Sequence, residues 1–252
     1  MMLAVVVVVA CLQGLAAGPP VGHHNQRAGA SQLEGNGGMM TEVRRPSGLR
    51  QPETTTSIVV KGDNIKGPVR VRVVTGETAV FSEVTSEPNL LPHLRVDVDG
   101  DTVFIRSELD LLTRMGITVV VHLFSLRRVH LEGAVDFEGR LTGDELSVQA
   151  KGAHKLTLAG AARSGRFDVD GAVQLDAVEL QLDDVDVKAT GAVDLQVHAR
   201  RSLRMAGQGA GSLSYKGRPR ITQDPRSAAV IRLVKLDPEW MTDDEPADPV
   251  GP

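Results

Sequence analysis

The sequence predicts an all-β protein whose C-terminal half is a parallel β-helix, a solenoid of about five coils that are each about 19 residues long. Three observations predict this fold. Gly-Ala pairs recur at nearly constant spacing, apolar and polar positions alternate in register between the repeats, and no segment sustains a helical period. The composition agrees, because 26 glycines and only 3% aromatic residues suit thin interior layers with tight corners.

The repeat is marked by five Gly-Ala pairs, separated by nearly constant steps of about 18–20 residues. The pairs begin at Gly133, Gly152, Gly171, Gly191 and Gly209. We predict that each glycine forms a corner, where a positive φ would strain any larger residue. The alanine beside it is small enough to stack on its copies in neighbouring coils.

Apolar columns follow the corners. Four residues after the glycines stand Phe137, Leu156, Leu175, Leu195 and Leu213. The residue before each of these is polar, as a strand with one buried and one solvated face requires. We therefore expect Leu175 to point inward and Gln174 to point outward. A single coil is too short to bury its own apolar columns, so several stacked coils are needed.

Residues 57–124 are predicted to form an N-terminal β portion of the same domain, which extends to residue 235. Short β patterns bounded by Gly and Pro fill this portion, and Asp99-Gly100-Asp101 between two of them indicates a hairpin. Residues 108–115 are compatible with one helical turn or a loop. The N-terminal portion can cover one end of the solenoid, where bare strand edges would invite pairing, and residues after 213 can close the other.

The flanking segments predict export. Residues 1–17 are apolar and too short to span a bilayer comfortably, as in a secretory leader. Two fates stay open: cleavage after Ala17, or acylation of Cys11, which follows a lipobox-like Val8-Val9-Ala10. The mature protein would be periplasmic, outer-membrane-anchored or extracellular. Residues 18–56 are predicted to be a disordered linker and residues 236–252 a disordered acidic tail.

Charge and cysteine content disfavour several classes of function. The net charge is −4 with both signs interspersed, so nucleic acid is not expected as a partner. Cys11 is the single cysteine, which rules out a disulfide within the chain and a cysteine-based zinc site. The sequence has no G-x-S-x-G motif, and the regular spacing leaves no room for the long loops that carry active sites in β-helical lyases. We expect no enzyme activity, no catalytic residue and no cofactor.

Metal and phosphate sites are also not expected. The outward positions carry Asp136, Asp168, Asp170, Asp176, Asp183, Asp184, Asp186 and Asp194. The calcium-binding pattern G-G-x-G-x-D is absent, so these aspartates are interpreted as a solvated acidic face that discourages aggregation. His130, His154 and His198 fall in different columns and should not share a metal. Residues 207–211 lack the Lys-Ser/Thr of a phosphate-binding loop.

Several motifs resemble the bacterial family named putative auto-transporter adhesin, head GIN domain. They are Glu87-Pro88-Asn89-Leu90-Leu91, the predicted hairpin near Gly100, the Gly-Ala corners and the Tyr-Lys-Gly-x-Pro run that begins at Tyr215. The family's second corner glycine is kept only at Gly211; the other repeats have Val135, His154, Val173 and Val193. The resemblance covers about residues 57–235. It implies a β-helix-like fold at the cell envelope or exterior and transfers no functional residue.

Two functions are therefore considered. The first is a non-enzymatic envelope or extracellular protein, an adhesin-like binding module whose outer face meets a surface polymer or a protein. The alternative is a self-associating β-helical scaffold. The scarcity of aromatic residues disfavours sugar stacking, so protein or charged-polymer partners are favoured. Membrane contact is expected only through a lipid anchor at Cys11, and the sequence does not identify the ligand.

Overall fold

The computed structural model describes residues 32–45, 55–77, 79–224 and 231–236. The strands are β1 (Leu33–Glu34), β2 (Met40–Arg44), β3 (Ser57–Lys61), β4 (Ile65–Lys66), β5 (Val69–Thr75), β6 (Phe81–Ser86), β7 (Leu94–Asp99), β8 (Thr102–Ser107), β9 (Leu111–Leu112), β10 (Ile117–Leu123), β11 (Arg128–Lys216), β12 (Arg220–Gln223) and β13 (Ile231–Lys235). A single 3₁₀ turn, Leu91–His93, accompanies them within the described ranges. The prediction of an all-β protein is confirmed.

The main sheet has ten strands and follows the order β2-β6-β10-β5-β11-β3-β8-β7, with β12 and β13 also paired to β11. β3 pairs in parallel with both β8 and β11, and β5 pairs in parallel with both β10 and β11. The segment 57–75 thus lies between 102–123 and the start of β11, although it precedes both in the chain. The strands β1, β9 and β4 form a second, three-stranded sheet.

The corner glycines lie against one another along β11. A methyl group built on Gly152 would come 2.1 Å from the carbonyl oxygen of Gly133. At Gly171, Gly191 and Gly209 the distance to the oxygen of the preceding corner glycine would be 2.2, 2.3 and 2.0 Å. The φ angles of the five glycines range from +91° to +146°. Both the close approach and the positive φ demand a residue without a side chain.

The inward and outward positions follow the predicted alternation. Leu175 is 1% exposed, and the equivalent leucines and Phe137 are equally buried, whereas Gln174 beside it is exposed. Each buried Leu or Val in this column contributes about 1.5–3 kcal/mol through removal of apolar surface from water. The alanines after the corners are exposed, and the residues that follow them, Val135, His154, Val173 and Val193, are buried instead. Stacking of the alanines therefore adds little to the core.

Antiparallel strands lie at both ends of the strand order of the main sheet. β6 pairs with β10 and β2 with β6, while β7 pairs with β8. The predicted hairpin is confirmed, because β7 ends at Asp99, β8 begins at Thr102, and Gly100 between them has a φ of +60°. The C-terminal strands pair in parallel with β11, β12 along residues 202–205 and β13 along residues 211–215.

One local prediction was wrong, and one open alternative is decided. The predicted linker 18–56 contains β1 and β2, because backbone pairing with β9 and β6 holds residues that bury little apolar surface of their own. Arg44 strengthens the attachment by donating to the carbonyl oxygens of Leu91, at 2.7 Å, and Leu94. Of the two alternatives for residues 108–115, the loop is observed and not the helical turn; the loop contains the two-residue strand β9, which pairs in parallel with β1 and β4.

Several predictions fall on residues outside the described ranges. These are the leader with Cys11, the rest of the linker, and the acidic tail beyond residue 236. Within the ranges that are described, no helix has the length and apolar character needed to cross a membrane.

Candidate functional site

A groove runs over the outward side of β5 and the adjacent part of β11. Two adjoining concavities of about 670 and 450 Å³ form it, and both are lined by Arg72, Glu138 and Thr157. The first of them is larger than three further concavities of about 550, 340 and 330 Å³ elsewhere on the described residues. The groove is therefore the first place to look for a ligand.

Side chains alternate between the two faces of a strand, and this alternation places the charged side chains in the groove. Val69, Val71 and Val73 of β5 are buried, so the intervening arginines face outward. The parallel register sets Arg70 opposite Asp136 and Arg72 opposite Glu138. Arg72 Nε donates to Glu138 Oε2 at 2.9 Å, and Arg70 Nε lies 3.9 Å from Asp136 Oδ2. Exposed pairs of this kind are worth about 0–1 kcal/mol, so they define the charge pattern more than they stabilise the fold.

The rim of the groove adds further chemistry. The Thr75 hydroxyl donates to the carbonyl oxygen of Arg140 at 2.8 Å, which ties the two strands together and leaves the Arg140 side chain exposed. Phe124 is 52% exposed, and Glu179 supplies a carboxylate to the same concavity. The groove thus offers cations, carboxylates, hydroxyl groups and one exposed aromatic ring to an extended polar ligand.

The outward aspartates mostly face cations on neighbouring stretches of chain. At separations of 3.6–4.0 Å the pairs are Arg70–Asp136, Arg166–Asp186, Lys188–Asp168 and Arg200–Asp183. Hydrogen bonds from Arg201, and then from Ser202 at 2.6 Å, outweigh partial desolvation and lower the pKa of Asp184 to about 2. Among the described residues, no three His, Cys, Asp or Glu side chains are grouped so that they could hold a metal ion.

The three histidines singled out from the sequence lie in different surroundings. His130 contacts Gln149 at 3.1 Å and Glu132 at 3.0 Å. The half-buried His198 has a lowered pKa, mainly because of burial and also because of the nearby Lys216.

His154 is the unusual member of this set. It occupies a core position that is valine in the neighbouring repeats, and its side chain is only 4% exposed. Neither ring nitrogen has a hydrogen-bond partner among the described residues. Buried polar atoms without partners cost stability, so His154 weakens the column that contains it.

Glu87 is a buried acid whose role the sequence did not reveal. Its carboxylate accepts hydrogen bonds from Thr113 Oγ1 at 2.5 Å and from the backbone N–H groups of Arg114 and Met115 at 3.2 and 3.4 Å. Burial raises the pKa of this carboxyl, but the hydrogen bonds outweigh burial and leave the pKa lowered. A methyl group on Gly35 would come 2.1 Å from its Oε1. Glu87 therefore joins the N-terminal segment to the turn after β9, and the only sequence signal was its place in the Glu-Pro-Asn-Leu-Leu stretch.

Comparison with known proteins places this geometry in context. The model of the family described as "Putative auto-transporter adhesin, head GIN domain" matches residues 63–219. The chain is similar to the crystal structure of a putative adhesin from Bacteroides fragilis, with 18% identity, a TM-score of 0.61, and coverage of 81% of this chain and 100% of that one. At this identity the likeness shows a shared fold alone.

A second solved structure, a putative adhesin from Parabacteroides merdae, has 16% identity and a TM-score of 0.47 over 82% of this chain and 100% of that one. No protein with curated annotation matches the chain.

Proposed function

This chain belongs to the putative auto-transporter adhesin, head GIN domain family, and from that premise we propose that it is a non-enzymatic binding protein of the cell surface or exterior. Its ligand lies in the groove along β5 and β11. The observation that carries this assignment is the size of the groove combined with its fixed pattern of paired and unpaired charges.

The chemistry of the groove favours an extended protein segment or a charged polymer as ligand. Arg70 and Arg72 alternate with Asp136 and Glu138 across the two strands, so a partner that carries both charges or backbone amides finds complementary groups. A neutral sugar would depend on stacking, and Phe124 is the only exposed aromatic residue that lines the groove.

The side chains of the groove support a binding role rather than catalysis. Arg72 and Glu138 hold each other, and the Thr75 hydroxyl is committed to a backbone carbonyl. Nucleophilic catalysis needs a hydroxyl or thiol within reach of a base. Among the described residues, none of the hydrogen bonds of the groove joins such a pair.

The repeats wind as a parallel β-helix of five coils in this proposal. The contacts between successive corner glycines support it, as do the parallel registers of β3 and β5 with β11. Equivalent residues of neighbouring coils would then lie about 4.8 Å apart, and outward side chains would form ladders along the coil axis.

Export is the second part of the proposal. It is supported by the family's adhesin name and by the apolar stretch that ends at Ala17. Mass spectrometry of the mature N-terminus from a bacterial host tests it. Cleavage after Ala17 or acylation of Cys11 supports export, and an intact leader contradicts it.

Binding is tested with the full chain and defined probes. Binding to immobilised gelatin, poly-L-glutamate and neutral dextran is measured for the wild type, for Arg140→Glu inside the groove and for Arg127→Glu outside it. We expect saturable binding to gelatin or poly-L-glutamate and none to dextran. The Arg140 variant should bind about tenfold more weakly, a loss of roughly 1.4 kcal/mol, and the Arg127 variant should match the wild type. Absence of saturable binding, or equal effects of the two variants, refutes the groove as the binding site.

The scaffold alternative is favoured by one observation: among the described residues, β12 pairs with β11 on one side only, so its other edge has no partner strand there. Unpaired strand edges are templates for association of further chains. Size-exclusion chromatography of the full chain over a range of concentrations separates the two functions. A monomer at all concentrations removes the scaffold function, and growth into filaments removes the simple binding module.

A further inference from the structure

The groove carries more cations than carboxylates. The cations that line it are Arg70, Arg72, Arg140 and Lys155, and the carboxylates are Asp136, Glu138 and Glu179. Arg70 and Arg72 each lie within 4.0 Å of a carboxylate oxygen. Among the described residues, neither Arg140 nor Lys155 has a carboxylate that close, and both side chains are exposed. These two cations are therefore available to a ligand.

Two neighbouring stretches of β11 lie side by side in a fixed register within the groove. A methyl group built on Gly152 would meet the carbonyl oxygen of Gly133, and one built on Gly160 would meet the carbonyl oxygen of Leu141. Both contacts join residues that are 19 positions apart in the chain. The residues between the two contacts therefore lie beside one another with the same offset.

This register arranges the outward side chains of the two stretches in three rows. The rows are Asp136 with Lys155, Glu138 with Thr157, and Arg140 with Ala159, and all six residues line the groove. Each outer row contains one cation without an ion pair among the described residues, and the middle row contains a carboxylate and a hydroxyl group. The outer rows are four residues apart along a strand, which is a distance of about 13 Å.

An extended peptide that lies along these stretches matches the spacing of the rows. It has the same rise of about 3.3 Å per residue and the same alternation of side chains, so its residues i, i+2 and i+4 would face the three rows. Carboxylates at i and i+4 would meet Lys155 and Arg140. A lysine or serine at i+2 would meet Glu138, whereas a carboxylate at i+2 would be repelled by it.

We propose that the groove binds an extended acidic segment of a partner protein, with carboxylates four residues apart and a basic or hydroxyl residue midway between them. The inference rests on the proposed function, because it takes the groove as the binding site. Lys155 and Arg140 attract the segment, and Glu138 rejects segments that carry a third carboxylate between the other two. A peptide is favoured over an anionic polysaccharide because it shares the side-chain alternation of the strands beneath it.

Two peptides of identical composition and net charge test the spacing. They are acetyl-Gly-Glu-Ser-Lys-Ser-Glu-Gly-amide, the ordered peptide, and acetyl-Gly-Glu-Ser-Glu-Ser-Lys-Gly-amide, the permuted peptide. Both are titrated into the full chain at low ionic strength, and amide chemical shifts report the affinity and the location. We expect the ordered peptide to bind about tenfold more tightly and to shift the amides of residues 136–140 and 155–159. Its central five residues read the same in both directions, so the direction of binding does not matter.

Single substitutions test the two cations separately. Lys155→Gln and Arg140→Gln should each weaken binding of the ordered peptide about threefold, and the double variant should weaken it about tenfold. Lys151→Gln is the matched control, because Lys151 is exposed and lines neither concavity of the groove. This variant should bind the ordered peptide as the wild type does.

The outcomes separate this inference from the proposed function. Equal affinity for the ordered and permuted peptides overturns the spacing, even when gelatin still binds in the groove and the proposed function stands. Chemical-shift changes confined to residues outside the groove overturn it as well. If polygalacturonate binds in the groove more tightly than the ordered peptide, the partner is an anionic polysaccharide and the protein segment is refuted. Absence of binding by gelatin, poly-L-glutamate and both peptides refutes the groove itself.

Discussion

Replacement of Gly171 by alanine should destabilise the protein strongly, and the structure separates the cost into two parts. Gly171 has a φ of +124°, a conformation that costs a residue with a Cβ about 1–3 kcal/mol. The new methyl would also lie 2.2 Å from the carbonyl oxygen of Gly152 and 3.0 Å from its carbonyl carbon. These are backbone atoms that cannot move alone, so overpacking adds about 1–3 kcal/mol. We expect a total loss of about 2–6 kcal/mol.

Two other glycines supply matched controls for the separate parts. Gly76 has a φ of +94° and no atom within 4 Å of the position of a new methyl group, so Gly76→Ala should cost only the conformational part. Gly143 has open space and no positive φ, so Gly143→Ala should be neutral or should stabilise by about 0.4–1 kcal/mol through the unfolded state.

Urea unfolding followed by circular dichroism measures all three variants. If the free energy of unfolding falls by about 3 kcal/mol per M of urea, a variant that loses about 3 kcal/mol of stability unfolds at a urea midpoint that is about 1 M lower. The expected order of midpoints is Gly143→Ala highest, then Gly76→Ala, then Gly171→Ala. If Gly171→Ala costs no more than Gly76→Ala, the corner glycines are not in close backbone contact, and the proposed stacking of the coils is refuted.

Three further predictions concern single side chains. Leu175→Asp should unfold the protein, because it places a charge in a buried apolar slot, whereas Gln174→Asp should hardly change the melting temperature; equal shifts would invalidate the inward and outward assignment. His154→Val should remove two buried ring nitrogens that lack hydrogen-bond partners among the described residues, and this should raise the free energy of unfolding by about 1–3 kcal/mol. The melting temperature should then rise by about 2–4 °C for each kcal/mol gained, and an unchanged or lower melting temperature would contradict this. The lowered pKa of Glu87 means that the carboxylate stabilises the fold above the ordinary glutamate pKa and that this stability is lost as the pH falls through the lower folded-state pKa. Glu87→Gln should therefore show a smaller decline in unfolding free energy across that window, and an identical pH slope would show that another group titrates.

The repeating part of the fold was predictable because strand periodicity leaves a direct imprint on the sequence. Apolar side chains at every second position predicted that Leu175 is buried and Gln174 exposed. The recurrence of glycine predicted residues with a positive φ, and the same glycines also lie close to another backbone, which only glycine tolerates. The Asp-Gly signal predicted the hairpin near Gly100 for a similar reason.

The N-terminal part was less predictable because its attachment depends on pairing between distant segments. β2 buries little apolar surface, so its composition resembled that of a linker, yet its backbone pairs with β6. β9 is only two residues long and is defined by its neighbours β1 and β4. Nothing in the residues next to Glu87 shows that it is buried, because its role depends on the distant turn around Arg114, whose backbone N–H donates to the Glu87 carboxylate.

By itself, the sequence determined the all-β class, the recurrence of glycines with a positive φ, and the faces of the strands, because each of these depends on residues close together in the chain. Only the tertiary structure decided that residues 57–75 lie between two later segments and that Arg72 meets Glu138 in a groove. These features depend on which strands pair and in which register. Pairing between segments as distant in the chain as β5 and β11 is set by the packing of the whole sheet, and local patterns in the chain do not record it.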